Sequence, residues 1–297
     1  MAAASEAYDQ AQARIGDAFQ AEWAAVLAAT TPARLAMSMT SAGARYRAAI
    51  RAQARASRAL AISYYRLRRA LETGRAIGGP GYTPGASLGS LWQDFNRLTG
   101  KRTGTGPRTP LPVDRLDPFP AENLEREAAK AEKAFRESVA EPVRKHEAER
   151  GSAALDDAEL VAWEKEFMDS LRDESGAAGE KVARDEGRGV IHEALPNDPG
   201  AVGYYRELRS PKPCYRCLMV ASMGAVYKSR ASAGFRYHLN CKCRPQPIFS
   251  RNYTLPAVNA RAVRLWKQFK EATGGGDQEA WRTWLHTSGH LKRPPKK

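Results

Sequence analysis

Cysteine is scarce in this chain, with four residues in 297, and none lies outside the window from Cys214 to Cys243. A framework of disulfides spread through the fold is thereby excluded, because such a framework needs thiols at intervals along the chain. Long apolar runs are also missing. The longest, about "WAAVLAA" from Trp23 to Ala29, falls far short of the ~18 residues a membrane helix requires. The opening "MAAASEAYD" lacks the basic-then-apolar order of a secretory leader. The thiols are therefore expected to be made in a reducing cytosol, where lasting disulfides are uncommon. No G-x-S-x-G, no P-loop and no carboxylate pair in a recognisable pocket occurs, which leaves the common hydrolase and nucleotide signatures without a carrier.

Acidic residues are plentiful in one stretch only. The net charge of +14 divides into +6 over residues 1–75, +2 over 76–118, −9 over 119–199 and +15 over 200–297. A basic–acidic–basic layout predicts segments with different neighbours, and the last block would attract a polyanion. A plain solvated face is the competing reading of any such block.

Helical periodicity dominates what remains. Tyr8, Ala11, Ile15, Phe19, Trp23 and Val26 recur at three- and four-residue steps, the mark of one helix face, until "TTP" at Thr30 to Pro32 interrupts them. A longer helix is predicted from about Thr40 to Thr73, with Tyr46, Ile50, Leu60, Tyr64, Leu67 and Leu71 on one face. Arg47, Arg51, Arg55 and Arg58 make a separate basic stripe. Like charges a turn apart repel, so a bound anion or an acidic neighbouring helix would relieve them. Residues 76–120 are dense in Gly and Pro and read as a linker or an arm lying on a neighbouring subunit, with "SLGSLWQDFNRL" making a turn or two of helix. Over 121–187 a charged helical hairpin is expected. Its first helix carries Leu124, Ala128, Ala131, Phe135 and Val139 and ends near Pro142. Its second follows Asp156 and Glu159, spaced as in a capping box, with Leu160, Trp163, Phe167 and Leu171. Residues 251–297 hold further helices, one closed by Gly274 to Gly276, and the basic tail "LKRPPKK". The fold class is thus mainly α. N-terminal helices (1–75) and central helices are joined by a Gly/Pro-rich arm, and a small α+β Cys/His-rich module occupies 188–250.

That module holds the chemistry. Thiolates two residues apart can turn onto one metal ion, and Cys214-Tyr215-Arg216-Cys217 has that spacing. His238-Leu239-Asn240-Cys241 offers a second knuckle, so a tetrahedral Cys3His zinc site is predicted, with Cys243 left over or replacing His238. Reduced packing cysteines or a late disulfide are the alternatives. Zinc deaminases pair P-C-x-x-C with an upstream H-x-E; here "PCYRC" is matched by His192 and Glu193, adjacent residues whose side chains diverge. Deamination is set aside, and His192 reads as a helix-end or packing histidine. Thioredoxin-like redox chemistry would need a βαβ context that the periodicity does not show.

Together, "DPGAVGYYRELRSPKPCYRCLMVASMGAVYKSRASAGFRYHLNCKCRPQPIF", from Asp198 to Phe249, resembles the C-terminal signature of MuF-like minor head proteins of tailed phages, particularly those of actinobacteria. The elements that carry the resemblance are Cys214 and Cys217, Tyr227 to Arg230, then His238, Cys241 and Cys243, and finally Pro247 to Phe249. It implies a non-enzymatic minor capsid protein, made in the host cytoplasm and held inside the virion near the portal. The implied role lies in head assembly, DNA packaging or DNA release, with portal, capsid or scaffold subunits and packaged double-stranded DNA as partners and no membrane. Many relatives are labelled capsid maturation proteases, which makes processing of scaffold or capsid subunits the alternative, although no protease centre is identifiable by motif. Arg216, Lys228, Arg230, Arg236, Lys242 and Arg244 surround the cysteine patch and are the expected nonspecific phosphate contacts, or else a protein interface.

Overall fold

A computed structural model describes residues 2–78, 85–119, 124–152, 157–210, 213–224, 237–239 and 241–291. In chain order the elements are α1 (Ala2–Ala28), α2 (Pro32–Met37), α3 (Met39–Thr73), β1 (Ala76–Ile77), α4 (Leu88–Thr99), β2 (Val113–Asp114), α5 (Leu124–Ser152) and α6 (Asp157–Ala194). A 3-10 turn (Leu195–Asn197), β3 (Gly203–Glu207), α7 (Tyr215–Ser222), β4 (Arg244–Ile248), α8 (Ala257–Thr273) and α9 (Gln278–Thr287) follow. The protein is mostly helical, with two small strand pairs, as its periodicity predicts. Two compact units are present: Met1–Tyr64 with Trp92–Thr105 and Ala121–Gly189, and Tyr65–Leu91 with Gly106–Pro120 and Val190–Lys297.

The first unit is built on aromatic rings. Phe19, Trp23 and Leu27 of α1, Leu35 of α2, Tyr46 and Ile50 of α3, Phe135, Val139 and Val143 of α5 and Leu171 of α6 form one buried cluster. The Trp23 ring lies 4.7 Å from Tyr46 and 5.0 Å, edge-on, from Phe135, the offset arrangements that aromatic quadrupoles favour. Ser175 satisfies both polar tips: Trp23 Nε1 donates to its Oγ at 2.7 Å and the Tyr46 hydroxyl to its carbonyl at 2.7 Å. The "TTP" break is a helix start, because Pro32 takes the first position of α2, where its missing N–H is no loss, and the Thr31 side chain accepts from Arg34 N. At Gly179 a Cβ would lie 2.1 Å from a Phe19 ring carbon, so only glycine lets α6 approach α1 this closely.

One feature differs from the periodicity reading and another lies partly outside the described residues. Pro142 lies inside α5, which runs on to Ser152. The proline forfeits one backbone hydrogen bond, and the buried Val139 and Val143 on either side of it hold the helix through the gap. Glu159 lies in the first turn of α6, whereas Asp156, its expected capping partner, lies outside the described residues. The arginine stripe of α3 finds acidic helices of its own chain. Arg47 pairs with Glu132 at 3.2 Å, Arg51 with Glu125 at 3.3 Å and Arg58 with Glu186 at 3.1 Å, which relieves the like-charge repulsion along α3.

In the second unit β1 and β2 pair in parallel, Ala76 against Val113 and Ile77 against Asp114. An ionic network surrounds them. Asp198 accepts from the Tyr65 hydroxyl at 3.1 Å, Arg69 Nε at 2.8 Å and Gly200 N at 2.9 Å. Asp114 accepts from Arg69 at 2.6 Å and from Arg75 at 2.6 and 2.9 Å. The Arg75 hydrogen bond, opposed by burial and reinforced by Arg69, brings the Asp114 carboxyl down to about 2. Strands β3 and β4 are antiparallel, Gly203 facing Ile248 and Glu207 facing Arg244. Pro245 and Pro247 of β4 lack a donor, so the pairs that exchange hydrogen bonds are those at Arg244, Gln246 and Ile248. Beneath the sheet, Leu208, Leu218, Leu265, Phe269, Trp281 and Leu285 pack with Cys217, Cys241 and Cys243. Gly274, at φ 76°, caps α8 in the left-handed region, and the Asp277 side chain caps α9.

Candidate metal centre

Pro213 precedes Cys214, and α7 begins directly after Cys214. The Cys214 side chain occupies the N-cap position and accepts the Cys217 backbone N–H at 3.4 Å. The C-x-x-C spacing therefore sets its two sulfurs at the first turn of a helix, where the N-terminal end of the dipole favours thiolate charge. His238 comes back to the same place. Its Nε2 lies 3.1 Å from Cys214 Sγ and 3.4 Å from Cys217 Sγ, while its Nδ1 is 2.6 Å from the Leu239 carbonyl. A carbonyl only accepts, so Nδ1 donates to it, and the ring is turned so that Nε2 faces the sulfurs, the orientation in which a ligating histidine is held.

Cys241 Sγ lies 3.6 Å from Cys217 Sγ. Two groups of donors result, Cys214 with Cys217 and His238, and Cys217 with Cys241 and Cys243, and within each all ligand atoms lie within 4.8 Å of one another. Cys217 belongs to both and stands at the centre. All five predicted ligands are thus brought together from segments up to 29 residues apart in sequence, and they can hold a metal ion. None of the four cysteines is in a disulfide and, except for the half-buried Cys214, all are buried.

Crowding separates their proton affinities. Hydrogen bonding from Cys217, opposed by burial and aided by the Cys217 backbone N–H, brings the Cys214 thiol down to about 5. Cys217 is pushed up by its hydrogen bonds with Cys214, Cys241 and Cys243. Cys243 is pushed up to about 11, its hydrogen bond with Cys217 being outweighed by Cys241 and burial. A metal ion replaces such protons when it binds, which couples its uptake to their release.

The six basic residues expected around the patch have separate fates. Arg216 and Lys242 are exposed. Arg244 is turned inward, 3% exposed, and its guanidinium grips Glu207 Oε2 at 2.9 and 2.6 Å. Lys228, Arg230 and Arg236 lie outside the described residues, as does the hairpin or strand expected between the two knuckles. His192 is a packing histidine: it sits in the last turn of α6, its Nε2 2.9 Å from the Tyr237 hydroxyl and its ring edge-on to Tyr204.

Two residues beside the centre carry no sequence signal. Arg206, in the middle of β3, points one guanidinium nitrogen at Cys241 Sγ, 3.5 Å away. Burial works hardest against its charge, and Tyr237, Cys217, Cys241 and Cys243 more than restore it. Asn259 of α8 is fully buried and bonds both the Arg206 carbonyl, at 2.6 Å, and the Leu208 amide, at 3.1 Å. Nothing in the pattern separates Arg206 from the other 46 basic residues. Its register two residues after Tyr204, on the same strand face, was the one available clue.

Comparison with known families finds a partial similarity to a viral or phage protein family. The stretch from residue 123 to 270 matches the family model described as VG15 protein, and this span contains α5, α6, the whole Cys/His cluster and most of α8. No curated protein and no solved structure matches the chain. Among the described residues no helix is long and apolar enough to cross a membrane.

Proposed function

We propose that this chain is a MuF-like minor capsid protein of a phage, acting inside the head near the portal in assembly, packaging or release of DNA, with zinc as the structural ion of its Cys/His centre. The match of residues 123–270 to a phage protein family carries this reading, because the matched span includes the Cys/His order on which the MuF-like resemblance rests. Zinc fits the donors. Ligand bonds of about 2.0–2.3 Å in a tetrahedron separate two sulfurs by about 3.8 Å and a sulfur from a nitrogen by about 3.5 Å. The separations of 3.1, 3.4 and 3.6 Å lie at or just inside those edges. With four positions for five donors, His238, Cys217 and two further cysteines form the expected set.

In this reading the ion is a brace. It ties the start of α7 to the segment entering β4 and leaves the exposed Arg216 and Lys242 to meet DNA phosphate without sequence preference. Arg244 has a structural duty through Glu207. The deciding experiment is mass spectrometry and immunolabelling of purified virions, with elemental analysis of protein purified without chelator. A few copies per head, protected by the intact shell and carrying zinc, are expected. Absence from virions would overturn the capsid role, and metal-free, fully folded protein would overturn the brace. Incubation with the capsid precursor tests the other reading, since specific cleavage abolished by one point substitution would make the protein a maturation protease.

A further inference from the structure

Arg206, in β3, is 2% exposed. Two contacts place its guanidinium beside the cluster, and a third fixes its backbone. One nitrogen donates to Cys241 Sγ at 3.5 Å. The guanidinium carbon lies 4.1 Å above the Tyr237 ring, a cation–π geometry, and Tyr237 directly precedes His238. The backbone on either side is fixed by Asn259, which takes the Arg206 carbonyl and the Leu208 amide. These contacts set the guanidinium beside the sulfur.

Charge gives that placement a purpose. A divalent ion bound by three thiolates and an imidazole bears a net negative charge, and four thiolates would double it. Burying an excess anion is costly unless a counter-charge with good hydrogen-bond geometry accompanies it. Here the cation is built into β3, on the same side as the sulfur it contacts. We propose that Arg206 is the counter-charge of the metal–thiolate centre and the residue that positions Cys241 as a ligand, an assignment that rests on the metal reading of the cluster.

The test uses the full-length chain, unaltered and as Arg206→Met, Arg206→Gln and Arg206→Lys. Zinc affinity is measured by competition with a chromophoric chelator, and the cobalt(II) form is examined for its thiolate-to-metal charge-transfer band. Loss of an outer partner of a ligand weakens metal binding by about 10–100-fold. The Met and Gln variants should show that loss and a displaced cobalt band, with Lys recovering most of both. Met and Gln variants that bind zinc like the unaltered chain, with an unmoved band, would overturn the proposal while leaving the metal reading intact. If the neutral variants do not fold, Arg206→Lys decides alone: near-normal affinity supports the charge role, and a loss as large as that of Cys241→Ser refutes it. An unaltered chain that takes up neither zinc nor cobalt would end the metal reading itself.

Discussion

The first unit is held by what it excludes from water, the second by what it pairs. Around Trp23, Tyr46 and Phe135, apolar and aromatic surface from α1, α3, α5 and α6 closes on itself, and the ion pairs of α3 lie toward the rim. The second unit instead assembles short strands, a buried carboxylate–arginine network and a knot of thiols around a smaller tryptophan-rich core. The lesson is about specification. A core made by burial tolerates small changes at many positions, whereas one made by ligands and ion pairs depends on a few residues whose loss strands their partners.

Four substitutions or treatments and one pH series break or sharpen that contrast. The largest effect is expected from metal removal. Structural zinc contributes about 10–16 kcal/mol in small zinc-dependent peptides. Chelation should therefore strip hydrogen-exchange protection from α7, β3 and β4 while the amides of α1, α3 and α5 keep theirs; equal loss in both units would erase the distinction. Trp23→Ala should destabilise the first unit by about 3–5 kcal/mol, seen as an earlier denaturant midpoint for exchange in α1 and α5. Gly179→Ala places its methyl within 2.1 Å of Phe19 and should cost about 1–3 kcal/mol by overpacking, whereas a neutral result would mean that α6 can shift freely against α1.

For the second unit, the Arg75 and Arg69 contacts hold the folded-state pKa of Asp114 near 2, below the ordinary carboxylate value of ~4. A depressed acid stabilises the fold fully above the unfolded-state pKa and loses that contribution as pH falls through the folded one. Stability should therefore decline between about pH 4 and pH 2, and Asp114→Asn should flatten that limb of the acid-unfolding curve. The smallest change is expected from Glu125→Gln on the exposed face of the first unit. Its partners Arg47 and Arg51 are well solvated, so thermal unfolding should register less than about 1 kcal/mol, and less still in high salt.

The contrast also explains what could be seen in advance. Phe19 and Trp23, or Phe135 and Val139, announce themselves because burial against neighbouring helices demands a repeat near 3.6 residues. The clustering of Cys214, Cys217, His238, Cys241 and Cys243 was legible because thiols are rare here and their spacing is suited to a metal. Pro142 misled because a helix with buried residues on both sides of a proline can survive one lost hydrogen bond. The 76–120 segment reads as a linker or arm because glycine and proline dominate it; within it Ile77 and Phe95 are buried, and the helix expected to make a turn or two runs from Leu88 to Thr99. Arg206, Asn259 and the network on Asp198 were invisible for a different reason. Each acquires its role from partners far away in sequence, and no local periodicity records a contact between positions 206 and 241 or between 69 and 198.

Strand β4 holds one further consequence. Its two prolines alternate, so the edge turned away from β3 offers no amide donor at Pro245 or Pro247, and the Pro247 carbonyl on that edge accepts from Arg68 at 3.4 Å. A third strand, from this chain or a second copy, would find no ladder to zip onto. That edge is thereby protected against polymerising through the protein's own sheet.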